Sequence, residues 1–162
     1  MIIIRRQRDY SRKKPTVYLL VGLPGSGKST WCKKVHPDLP IVSRDVIRAE
    51  LKFTKNVHEK ARLEDWQEEK VNQKETEYIK NYLRRGEDFI IDDTNLKEKY
   101  RKPLLDTLYR GGAYVVGVNF RTPLSICIKR RRYQIDPEIM KNIYETMDKI
   151  EEYEVDKLIN VN

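Results

Sequence analysis

A chain of 162 residues is sized for one domain with a substantial core and is too short for two ordinary ones. Its formal net charge of +8 draws anions to the surface, which makes nucleic acid a natural partner, with solubility as the bland alternative. Two cysteines, Cys32 and Cys127, form no C-x-x-C or His/Cys cluster, so a disulfide framework and a thiolate metal site are excluded and the thiols read as reduced and intracellular. No stretch is apolar enough for a membrane span, and the start places its apolar residues before its charges, the reverse of a secretory signal. A cytoplasmic chain is expected.

Residues 1–14 form a basic arm carrying Arg5, Arg6, Arg8, Arg12, Lys13 and Lys14, ahead of a domain at 15–162. The arm either follows a nucleic-acid backbone or is a disordered tail. Thr16 to Val21 is a β-branched and aromatic run that reads as a strand. The segment "GLPGSGKST" then matches G-x-x-x-x-G-K-[ST] at Gly22, Gly27, Lys28 and Ser29. With a strand before it and a helix over Lys28 to Val35 after it, this is a phosphate-binding loop. Its glycines let backbone N–H groups curl around an anion; Lys28 reaches the β- and γ-phosphates, and the Ser29 hydroxyl ligates Mg²⁺. Gly22, Pro24, Gly25, Ser26, Gly27, Lys28, Ser29 and Thr30 form the expected nucleotide-binding set.

"LPIVSRD" reads as a second short strand ending at Asp45, with "VIRAELK" opening a helix. From His58 to Arg85 the chain is polar, with Ala61, Trp66, Tyr78, Tyr82 and Leu83 spaced for one helical face and Gly86 as its stop. "FIIDDT" is an apolar run ending in acids, as in a strand buried on both faces. A helix over Leu96 to Tyr109 follows, with Pro103 as a kink and Gly111-Gly112 as the end. "AYVVGVNF" is another buried strand. Helices follow from Pro123 through the arginine run and from Pro137 to about Glu151, and "DKLINV" is a last strand. This alternation implies a three-layer α/β domain with a parallel sheet. Ligands of such sheets sit at the carboxyl ends of the strands, which gathers the phosphate loop, Asp45, Asp92 and Asp93 at one edge.

Each of these groups has a chemical and a structural reading. Asp92 and Asp93 resemble acids that support Mg²⁺ together with Ser29, or one of them caps the next helix. Asp45 and Arg48 are neighbours on one helix turn. A carboxylate there can take the proton of an attacking hydroxyl while the arginine holds an anionic acceptor; a helix cap with a surface ion pair is the alternative. Lys129 to Arg132 is either a solvated helix face or a lid that lowers an arginine onto the transferring γ-phosphoryl group.

Taken in order, "GLPGSGKSTW", "SRDVIR", "IDDTNL" and "PEIMKNIYETM" resemble the kinase domain of bacteriophage-type polynucleotide 5′-hydroxyl kinases over roughly Thr16 to Met147. The resemblance implies a P-loop kinase domain with a small basic lid, transferring the γ-phosphate of ATP or another NTP, with Mg²⁺, to a 5′-hydroxyl end of DNA or RNA. It implies Asp45 as general base, Arg48 on the phosphate 3′ to the accepting nucleoside, and Lys28 and Ser29 on the donor. Arg44, Asp93, Thr94 and Asn95 would complete the acceptor side. Arg130 is similar in position to the first lid arginine, with Arg132 or Arg131 as the second; the family spaces this pair several residues apart, whereas here the arginines are contiguous. The phage-type enzymes carry a phosphatase domain where this sequence stops, so no 3′-phosphatase activity is expected. A small-molecule kinase acting on a nucleoside, nucleotide sugar or antibiotic is the competing reading, followed by a nucleotide-driven switch without transfer activity.

Overall fold

The computed structural model describes residues 13–57, 59 and 62–162. Its elements alternate: β1 (Thr16–Val21), α1 (Lys28–Val35), β2 (Ile41–Val42), α2 (Arg44–Glu50), α3 (Asp65–Arg85), β3 (Phe89–Ile91), α4 (Glu98–Arg110), β4 (Tyr114–Phe120), α5 (Leu124–Arg131), α6 (Pro137–Thr146) and β5 (Lys157–Val161). The five strands pair in the order β2-β3-β1-β4-β5, every pair parallel. Val17 of the central strand stands between Phe89 and Val115, and all three are fully buried. Parallel strands need crossover helices, and these cover both faces. On one face α1 lays Cys32 and Trp31 against Leu20, Ile90, Val118 and Phe120. On the other, Ile47, Val71, Ile79, Leu105, Leu108 and Met140 from the remaining helices pack on Val17, Leu19, Ile91 and Val115.

β1, α1 and the left-handed stop of α3 at Gly86 (φ 66°) lie where the sequence places them. Other boundaries move, each for a local reason. β2 stops at Val42 rather than at Asp45, because extended Ser43 caps α2 and its hydroxyl accepts from the Val46 N–H at 3.5 Å. Asp45 is therefore a first-turn helix residue and not a strand end. α3 begins at Asp65, where Glu64 and Gln67 form a reciprocal capping box; the expected start, His58 and Ala61, lies outside the described residues. Of the expected face, Leu83 is buried and Tyr78 and Tyr82 pack against the core, joined by Val71 and Ile79, whereas Trp66 is exposed. α4 starts at Glu98 and runs through Pro103. α6 stops at Thr146, because Met147 is extended and the Asp148 N–H donates to Leu96 O at 2.7 Å, docking the chain beside the loop after β3. Of the basic arm, Arg5, Arg6, Arg8 and Arg12 lie outside the described residues. Lys13 reaches Asp88 at 3.2 Å, and Lys14 lies 5.9 Å from the Tyr114 ring. No described helix is long and apolar enough to cross a membrane.

Candidate active site

The phosphate loop leaves β1 at Gly22 and enters α1 through Gly27. Gly25 and Gly27 have φ of 81° and 99°, a region that side chains disfavour. At Gly22 the restriction is space: a Cβ would stand 2.6 Å from Ser26 Oγ and 2.8 Å from Phe120 Cβ. Lys28 turns into this curl, donating to Gly22 O and Leu23 O at 2.9 Å each. Burial lowers its pKa to about 8, against the pull of the Asp92 carboxylate. A phosphate arriving in the loop would replace those two carbonyls with a stronger anionic partner.

The acids after β3 divide their work. Ser29 Oγ donates to Asp92 Oδ2 at 3.2 Å, so a hydroxyl and a carboxylate share the rim of the loop. These are hard oxygen donors of the kind Mg²⁺ takes alongside waters and phosphate oxygens, and they fit that ion. Among the described residues no three His, Cys, Asp or Glu side chains cluster as a metal cage. Asp93 is turned inward instead. Its Oδ1 accepts the Arg44 N–H at 2.8 Å, and its Oδ2 is buried without a donor. Burial first, and the neighbouring Glu75 carboxylate second, hold Asp93 above the usual carboxylate range, while burial also raises Glu75. A proton on either carboxyl would relieve the repulsion between them and could give Asp93 Oδ2 a donor.

Thr94 and Asn95 brace the loop. Thr94 O accepts the Gly22 N–H at 3.1 Å, and Asn95, at φ 49°, donates its carboxamide to Leu20 O at 2.8 Å. These contacts tie both residues to the exit of β1, so they support the phosphate loop.

α2 and α3 build the opposite wall. The Arg48 guanidinium donates to Asp45 Oδ1 at 2.9 Å and to Glu68 Oε1 at 3.4 Å. The expected pair is thus in direct contact. Arg44 is gripped by α3, donating to Asn72 at 2.6 Å, Glu68 at 2.7 Å and Glu75 at 3.3 Å. It acts here as the brace that orients the first turn of α2, with Asp45 on it. Glu68, which sequence reading passed over as one acid of a polar helix, links both arginines.

The arginine run is sorted by the docking of α5. Arg130 donates to Gly25 O at 2.9 Å, and the Arg131 stem lies so close that a Cβ on Gly25 would stand 2.9 Å from its Cγ. Arg132 lies over the ring of Tyr133 at 4.7 Å. Arg130 and Arg131 therefore meet the phosphate loop. One further residue escaped sequence reading altogether. Arg101 is fully buried, paired with Glu154 at 3.0 Å and donating to Asn95 O and Asp148 O at 2.9 Å each and to Lys149 O at 3.3 Å. It joins the brace of the phosphate loop to the segment after α6. Its only sequence signal was an arginine at a position of α4 that the helix turns inward.

The AAA_33 family model, an AAA domain, matches residues 17–143. The L-seryl-tRNA(Sec) kinase of Methanococcus maripaludis is 29% identical over 140 residues, covering 80% of this chain and 51% of that protein. The chain thus spans about half the length of this curated relative. Among solved structures, a chain of the Pnkp1/Rnl/Hen1 RNA repair complex superposes with a TM-score of 0.69 at 21% identity, covering 88% of this chain and 49% of that one. A gluconokinase from Sinorhizobium meliloti superposes at 0.56 with 19% identity, covering 93% and 85%. At these identities the structural likenesses speak for the fold. The chain belongs to the AAA_33 family of AAA domains and has the P-loop kinase fold, a parallel five-stranded sheet flanked by helices.

Proposed function

We propose that this kinase transfers the γ-phosphoryl group of ATP or another NTP to the 5′-hydroxyl end of DNA or RNA. The observation that carries the reading is the Asp45–Arg48 pair, 2.9 Å apart on α2, the helix that begins just beyond the carboxyl end of β2. A carboxylate beside a guanidinium fits an acceptor that presents a hydroxyl next to a phosphate, which a 5′ end does. In this reading Asp45 orients the hydroxyl and accepts its proton, and Arg48 holds the adjacent phosphate by a charge-assisted contact. Phosphoryl transfer passes through a loose transition state, so positioning and charge neutralisation carry most of the catalysis. Lys28 moves from its loop carbonyls to the β- and γ-phosphates, and Arg130 neutralises charge from the lid side. Mg²⁺, held by Ser29 and Asp92, would supply further charge neutralisation on the donor phosphates. The similarity to L-seryl-tRNA(Sec) kinase favours a second reading, in which a hydroxyl elsewhere on an RNA accepts. The gluconokinase likeness leaves a small polyol open as a third.

One assay separates them: labelled ATP and Mg²⁺ with a 5′-OH oligonucleotide, a seryl-tRNA, a panel of nucleosides and sugars, and no acceptor. Transfer to the oligonucleotide at rates far above the nucleosides and sugars is expected. A protein that phosphorylates bare nucleosides or sugars as readily as the oligonucleotide overturns the proposal.

A further inference from the structure

We infer that Trp66 is a stacking platform for the second nucleobase of a single-stranded acceptor. This rests on the polynucleotide reading above and deepens it. An exposed tryptophan by itself says little, since single apolar residues on a surface are normal. What distinguishes Trp66 is that it is held rigidly without being buried. It remains 57% exposed, yet two contacts hold it in place. Its indole N–H donates to Glu64 Oε2 at 2.6 Å, Glu64 is itself fixed by the capping box with Gln67, and its ring stands nearly perpendicular to Phe53 at 5.6 Å. The polar edge of the ring is thus satisfied, and the contact with Phe53 leaves a face open. A flat ring immobilised in this way binds another flat ring at small entropic cost.

Its position links it to the acceptor side. The Phe53 N–H donates to Arg48 O at 2.9 Å. Glu68, on the same first turns of α3 as Trp66, holds Arg48 and Arg44. The indole and the arginine assigned to the acceptor phosphate are therefore carried by one rigid pair of helices. The nucleotide on the far side of that phosphate is the one whose base the ring would meet. Around Trp66 the exposed cations Lys52, Lys55, Arg62 and Lys70 are matched by Glu59, Glu64, Asp65 and Glu69. Among the described residues the charges around Trp66 balance, so what is built there is an aromatic surface rather than a basic one. It suits an unpaired base, which any aromatic face accepts with little sequence preference.

The test compares kcat/KM for a 5′-OH nucleoside 3′-monophosphate, a 5′-OH dinucleotide and the same dinucleotide with an abasic second position. The wild-type protein should favour the dinucleotide by roughly tenfold to a hundredfold, from the worth of one base–aromatic stack. The abasic analogue, which needs no variant, should fall back to the mononucleotide level. Trp66→Ala should erase the preference while leaving the mononucleotide rate unchanged, and Trp66→Phe should keep most of it. The dinucleotide should also quench wild-type tryptophan emission but not that of Trp66→Phe, where the partly buried Trp31 is the remaining indole. Equal rates for all three acceptors overturn the inference, as does a Trp66→Ala variant that slows every acceptor alike, which marks the ring as packing for α3. If neither nucleotide acceptor is phosphorylated, the polynucleotide reading has failed and the inference falls with it.

Discussion

Replacing Lys28 with methionine tests whether the phosphate loop holds a desolvated charge. In the folded protein the Lys28 pKa lies at about 8 against an ordinary 10.5, chiefly because of burial. The unfolded chain therefore binds the proton more tightly than the folded one. Below pH 8 the ammonium is charged in both states, and the native state carries the full penalty of burying it, about 3 kcal/mol from 1.36 kcal/mol per pKa unit. Between pH 8 and 10.5 the folded protein releases the proton first, so stability rises with pH; above 10.5 the penalty is gone. Lys28→Met has no such dependence and shares every other titrating group. The stability of wild type relative to Lys28→Met should therefore climb by about 2.5 kcal/mol from pH 7 to pH 10 by that linkage. For a domain of this size that is a relative shift in Tm of roughly 5–10 °C, readable by thermal unfolding of both proteins in parallel buffers. The variant should also lose phosphoryl transfer and the rise in Tm that ATP gives the wild type. A wild-type–variant difference that stays flat between pH 7 and pH 10 would refute the reasoning, because the lysine would then be hydrated in the free protein.

Three further outcomes follow from the geometry. Arg130→Ala should cost roughly 10³-fold in kcat, the low end for an arginine on the transferring group, while Arg132→Ala should cost little; steady-state rates at saturating ATP decide this, and equal losses would undo the assignment of the lid. Asp45→Asn should leave ATP binding unchanged and reduce kcat by roughly 10²- to 10⁴-fold, measured by calorimetry and single-turnover transfer, whereas a fully active variant removes Asp45 as the base. Arg101→Met should lower stability by about 3–5 kcal/mol in chemical denaturation, since it strands Glu154 and three backbone carbonyls in the interior; a loss below 1 kcal/mol would mean the pair is dispensable.

The strand, phosphate loop and α1 were legible residue by residue, because each depends on neighbours within a few positions: a β-branched run, glycines where the backbone turns, a proline beyond the helix end. The parallel sheet was legible for a similar reason, since strands separated by helices have few other ways to pair. The start of α2 was misread although its signal was local, because Ser43 stops the strand as a cap where the apolar run before it invites continuation. Trp66 was misjudged differently. Helical spacing defines a stripe, and Tyr78, Tyr82 and Leu83 of the expected one do pack on the core, joined by Val71 and Ile79, while Trp66 near the start of the helix falls outside it. What tertiary structure alone decided is which charge meets which. Arg44 finds its partners 24 to 31 positions away on α3, and Arg101 finds Glu154 at a separation of 53. Contiguous arginines point about 100° apart around a helix, so sequence names the run Arg130 to Arg132, and only the seating of α5 against Gly25 selects Arg130 and Arg131 to meet the phosphate loop.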